Sequence, residues 1–115
     1  MITFAEHDHG DVTQLVVEGQ LTAEVEGQFQ ARNEQLVSRG KTRVVLDLAG
    51  IEYIDSSGIG VIVSLFKRVR LLNGDVKLAN LSGQPREIFR LLRLDKAFEI
   101  YDSLERAVGA FKTGV

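Results

Sequence analysis

The stretch Asp55-Ser56-Ser57-Gly58-Ile59-Gly60 sits between two apolar runs, Val44, Val45, Leu46 and Leu48 before it and Val61, Ile62, Val63, Leu65 and Phe66 after it. Such punctuation predicts strand, turn and helix, with the serines where the helix begins. The first N–H groups of a helix have no partner inside it, and the peptide dipoles leave partial positive charge there. A hydroxyl caps such an end, and a phosphate placed there meets free donors. One serine is enough for a cap; a second serine, two glycines and an adjacent acid are more than a cap requires.

Working outward, the helix is expected from Ser57 to about Leu72. At about 100° per residue, Ile62, Leu65, Phe66 and Val69 cluster with Gly58 as the core face, with Leu72 at its edge. The other side carries Ser57, Gly60, Ser64, Lys67 and Leu71, with Val63 also outside the core face. This small-residue strip is covered either by a partner or by another helix of the same domain. Arg43 to Leu48 is apolar at consecutive positions, as a strand buried on both faces is. Gly50-Ile51-Glu52-Tyr53-Ile54 then reads as a connector, with Ile51 and Ile54 beneath the serine loop.

Toward the N-terminus, Ile2 to Glu6 and Val12 to Glu18 predict a hairpin around the turn Asp8-His9-Gly10-Asp11. Thr22 is placed to cap a helix running to about Ser38, in which Arg32 interrupts the row Val25, Phe29 and Leu36. Toward the C-terminus, Asp75 to Asn80 alternates Val76 and Leu78 with Lys77 and Ala79. A short helix follows Ser82 with Ile88, Leu91 and Leu92 facing inward, then a strand over Phe98 to Tyr101. The last helix carries Leu104, Val108 and Phe111 on one side. The order predicts an α/β fold: a mixed β-sheet of about five strands, an N-terminal hairpin and then alternating helices and strands, with helices packed against it.

The 115 residues suit a single domain spanning 1–115. Apolar residues at 44% and charged residues at 26% exclude a disordered chain. A net charge of −2 gives no electrostatic reason to expect nucleic acid or an anionic membrane, so a protein or small-molecule partner is expected. The absence of cysteine removes disulfides, thiol nucleophiles and thiolate metal sites. No apolar run is long enough to cross a bilayer and the N-terminus lacks a signal-peptide pattern, so a cytoplasmic location is expected, with no membrane insertion. His7 and His9 have a spacing that can hold a metal, but no other His or Cys completes a site; solvated turn histidines are the reading kept, with no metal or cofactor.

The run from Val44 to Gly60, VVLDLAGIEYIDSSGIG, resembles the signature of the STAS domain in the form found in anti-sigma factor antagonists. Gly19-Gln20-Leu21, Lys77-Leu78-Ala79-Asn80-Leu81-Ser82 and Leu94-Asp95-Lys96-Ala97-Phe98 continue the resemblance, as does Tyr101 to Ala107, so that it covers essentially the whole chain. It implies a non-enzymatic, phosphorylation-switched module. Ser57 is then the residue phosphorylated by an anti-sigma factor that is also a serine kinase of the histidine-kinase-like ATPase fold. The unphosphorylated form binds that partner and frees a sigma factor, and a PP2C-type phosphatase restores it. Asp55, Ser56 and Gly58 form the phosphoacceptor loop, with Ser56 expected to hold the turn. Thr22, Ile59, Gly60, Val63, Ser64 and Lys67 are the partner-binding candidates. Two positions depart from the family's pattern: Thr22 stands where many antagonists have aspartate, and Arg93 where the motif has glycine before the final Leu-Asp.

Other readings are weaker. Gly58-Ile59-Gly60 is half of a dinucleotide-binding turn, but residue 63 is Val rather than Gly and Asn80-Leu81 supply no acid for a ribose. A serine hydrolase lacks both G-x-S-x-G and a histidine beyond His7 and His9. The alternative kept is a non-switched STAS adaptor that docks on a transporter ATPase or a larger signalling assembly.

Overall fold

The structure is a computed structural model that describes residues 1–113. Five strands, β1 (Ile2–His9), β2 (Val12–Leu21), β3 (Arg43–Ile54), β4 (Asp75–Ala79) and β5 (Ile100–Tyr101), lie side by side in sequence order. β1 pairs antiparallel with β2, and every later pair is parallel. Parallel neighbours require crossovers, and these are made by α1 (Glu26–Ser38), α2 (Ser56–Leu71) and α3 (Gly83–Leu91). A last helix, α4 (Leu104–Thr113), follows β5.

Side chains alternate across a strand, and the two faces are covered by different helices. Leu15, Val17, Val44, Leu46, Val76 and Leu78 pack with Phe29 and Leu36 of α1, Ile62, Leu65 and Val69 of α2, and Phe89 of α3. Val12, Val45 and Ala79 face the other way and pack under Ala107, Val108 and Phe111 of α4. This double burial explains the consecutive apolar residues of β3. It also buries Lys77, whose ammonium group lies 3.1 Å from Asp75, 2.9 Å from Glu99 and 4.6 Å from the centre of the Phe111 ring. Position 77 is therefore not the solvated half of an alternating strand.

Several boundaries differ from the sequence reading. β1 continues to His9, leaving only Gly10-Asp11 as the turn. β2 continues to Leu21 through register shifts, one of them between Gly19 and Gln20. Gly19 has φ +121, and a Cβ there would lie 2.2 Å from the Met1 carbonyl oxygen, so no other residue fits. β3 does not stop at Leu48: the segment from Gly50 to Ile54 remains strand by pairing with the end of β2. In α3, Pro85 and Phe89 are buried and Ile88 is half-buried, whereas Leu91 and Leu92 are 62% and 54% exposed. They fall at the last residue and the C-cap of a nine-residue helix, beyond Phe89, its last buried position, and do not face inward as expected.

Candidate functional site

The two longest strands, β2 and β3, end together, with Leu21 opposite Ile54 in the register. The Asp55 N–H donates to the Leu21 carbonyl at 3.0 Å. α2 then starts at Ser56, one residue earlier than the pattern gave, and its N-cap is Asp55, in an extended conformation. Oδ1 of Asp55 accepts from the Gly58 N–H at 3.1 Å, and Oδ2 accepts from the Ala23 N–H, also at 3.1 Å. One carboxylate thus caps α2 and pins the turn that leads into α1.

This geometry reassigns two expected roles. Ser56 is exposed and its hydroxyl makes no hydrogen bond among the described residues; the carboxylate of Asp55 holds the turn instead. Thr22 precedes a 3₁₀ turn, Ala23–Val25, and makes no side-chain capping bond. The first N–H of that turn, on Ala23, is served by Asp55 from across the loop.

Gly58 is buried against β2: a Cβ there would lie 2.5 Å from the Leu21 carbonyl oxygen and 2.9 Å from Ile54 Cγ1. Below the loop Ile51 and Ile54 are buried, as expected. A residue with no signal in the sequence completes the support. Gln84, at the start of α3, accepts from the Ile54 N–H at 3.0 Å and donates to the Ile54 carbonyl at 2.9 Å. Tyr53, 45% exposed beside it, is an aromatic at the rim that the sequence reading passed over.

Ser57 is half-buried in the first turn of α2, and its hydroxyl has no hydrogen-bond partner among the described residues. The N–H groups of Ser56 and Ser57 occupy positions where a helix supplies no acceptor. Gly60, Ser64 and Lys67 are exposed, and apart from the chain neighbours and the backbone of α2 itself no atom of the described residues lies within 4 Å of a Cβ built on Gly60. Val63 is half-buried and packs at the edge of the core. Ile59 is 8% exposed and belongs to the core, which removes its side chain from the partner-binding set. α1 covers the neighbouring flank, burying Val61 to 2% exposure, but leaves the Gly60, Ser64 and Lys67 strip open. Leu72, placed at the core edge by the pattern, is 53% exposed.

The histidines lie elsewhere. His9 is opposite Val12, at the start of β2, and its Nε2 is 2.8 Å from Gln14 Oε1. The ten residues of β2 separate that end from the serine loop by roughly 30 Å. No imidazole is in reach to activate Ser57 as a nucleophile. Among the described residues no group of three or more His, Cys, Asp or Glu side chains is placed to hold a metal, and no helix is long and apolar enough to cross a membrane.

The sequence profile described as the STAS domain matches residues 5–107. The chain belongs to the STAS domain family. Its STAS relatives include BtrV of Bordetella bronchiseptica, provisionally named an anti-sigma factor antagonist, 35% identical over 86% of this chain and 92% of that protein. A crystal structure from Thermotoga maritima, provisionally assigned as an anti-sigma factor antagonist, superposes with TM-score 0.87 at 26% identity, covering 92% of each chain. The Bacillus antagonist SpoIIAA has the same fold in its unphosphorylated form, with TM-score 0.75 at 18% identity over 98% of this STAS chain and 100% of that one. Its phosphorylated form also gives 0.75, at 19% identity over 95% and 99%.

Proposed function

We propose that this STAS protein is an anti-sigma factor antagonist switched by phosphorylation of Ser57. The observation that carries the reading is the unpaired Ser57 hydroxyl at the head of the open strip Gly60, Ser64 and Lys67, on a loop fixed from three sides by Asp55, Gly58 and Gln84. The names of BtrV and the Thermotoga protein, and the two recorded forms of SpoIIAA, support it. In the unphosphorylated state the strip, with Thr22 and Val63 beside it, docks on an anti-sigma factor that is also a serine kinase, and the sigma factor is released. Phosphorylation adds about −1.5 to −2 charges. The start of α2 accommodates them, but a partner surface shaped for a neutral hydroxyl would have to desolvate them beside Asp55. Unmatched charge at an interface costs several kcal/mol, or roughly a hundredfold or more in affinity. A PP2C-type phosphatase returns the protein to its binding form. The protein acts by binding and catalyses nothing itself.

The test is incubation with ATP and each kinase of the histidine-kinase-like ATPase fold encoded with this chain, followed by mass spectrometry. A single phosphate on Ser57 is expected, with none on Ser57→Ala. Ser57→Asp should bind the kinase at least tenfold more weakly than Ser57→Ala. Modification only at other residues, or equal binding of all forms, would leave the non-switched adaptor as the better account.

A further inference from the structure

Between α1 and α2 lies a groove of about 250 Å³ lined by Gln30, Asn33 and Glu34 on one side and Val61, Ser64 and Arg68 on the other. α1 and α2 each lead from one parallel strand to the next, so their N-termini share the end that carries Ser57. Ser57, Val61, Ser64 and Arg68 are spaced to fall on one flank of α2. The groove therefore continues the flank on which the phosphoacceptor sits. At its far end Arg68 and Glu34 approach to only 4.0 Å, with side chains 45% and 71% exposed, a closure that opens at little cost.

Asn33 lines this groove and is 3% exposed, and neither Nδ2 nor Oδ1 of its carboxamide has a hydrogen-bond partner among the described residues. Its neighbours Val61 and Leu65 are 2% and 1% exposed, so an apolar residue would suit the fold better. A buried amide without partners works against folding. Its free groups are a donor and an acceptor side by side, the complement of a peptide unit. Gln30 and Ser64 add further donors and acceptors along the groove.

We propose that the groove receives a main-chain segment of the kinase docked at Ser57, with the Asn33 carboxamide pairing with one of its peptide units. This inference rests on the reading of the chain as a kinase-bound antagonist, and it adds α1 to an interface otherwise confined to α2, the serine loop and Thr22.

The experiment measures, by calorimetry, binding of the kinase that phosphorylates Ser57 to the wild type, Asn33→Ala, Ser64→Phe and Ser57→Asp, together with the melting temperature of each. Asn33→Ala should melt at or above the wild type and bind about tenfold to a hundredfold more weakly. Ser64→Phe, a surface change that blocks the groove, should fold normally and lose binding. Wild-type affinity in Asn33→Ala, alongside weakened Ser57→Asp, overturns the groove and leaves the switch intact. A clearly lower melting temperature for Asn33→Ala also overturns it, because the carboxamide would then be satisfied within the fold, as by a buried water. No binding by the wild type overturns both.

Discussion

Replacing Asp55 by alanine removes two hydrogen bonds that share one carboxylate, to the N–H groups of Gly58 and Ala23. Loss of an Asp N-cap costs about 1 kcal/mol. The bond to Ala23 is charge-assisted, but it lies at an exposed position where water can reach the freed N–H, so about 1 kcal/mol is a fair allowance for it. The sum, about 2 kcal/mol, corresponds to a fall in Tm of roughly 6–12 °C for a domain of this length. An Asp55→Asn carboxamide would keep one acceptor oxygen and turn an amide N–H toward the other donor, so this variant should lose about half as much. Urea denaturation gives the comparison directly, through the midpoint at unchanged slope. A loss below about 0.5 kcal/mol in Asp55→Ala would refute the claim that this carboxylate organises the loop. An asparagine variant as unstable as the alanine one would refute the division of the two bonds between its oxygens.

Arg93 has φ 59, the left-handed conformation, just past the end of α3. An L-residue there costs about 1–2 kcal/mol, and the extra chain entropy of glycine returns about 0.5–1. Arg93→Gly should therefore raise the urea midpoint by the equivalent of about 0.5–1 kcal/mol; a lower midpoint would show that the arginine side chain is needed at that turn. The Tyr101 hydroxyl donates to Glu99, which pushes its pKa up to about 12 from 10.0. Because the folded value lies above the unfolded one, this contribution to stability is complete below pH 10 and is lost as pH rises toward 12. In a Tyr53→Phe background, absorbance at the tyrosinate band should give a Tyr101 midpoint near 12, and Glu99→Gln should lower it; an unmoved midpoint would remove Glu99 as the cause.

The order of elements and the burial of β3 on both faces were legible because both depend on local periodicity. The consecutive apolar residues of β3, and the placing of Val108 and Phe111 on one side of α4, needed no knowledge of neighbours. The failures share a different origin. Gly50 to Ile54 looks like a connector because Gly50, Glu52 and Tyr53 interrupt the pattern, and only pairing with β2 keeps it extended. Val61 is buried because α1 lies on that flank of α2, and nothing in α2 itself says on which flank α1 will lie. Within the site, the place of Ser57 in the first turn of α2 and the close packing of Gly58 were legible from turn chemistry. Asp55 was visible as an acid but not as the cap, although aspartate ranks with serine at that position. Gln84, thirty residues away in the chain, carries no local signal at all.

The clamp made by Gln84 bears on how far a strand can outrun its sheet. β4 pairs with β3 only as far as Asp47, yet β3 runs on to Ile54. At Ile54 a side-chain carboxamide offers both an acceptor and a donor to the backbone, as a neighbouring strand would. It acts as one rung of a ladder whose rail has ended. The serine loop can thus stand beyond the edge of its own sheet without leaving that rung open to another chain. Position 84 thus does a strand's work with a single side chain: glutamate there would still accept from the Ile54 N–H but would have no donor for the Ile54 carbonyl, and half of the rung would be lost.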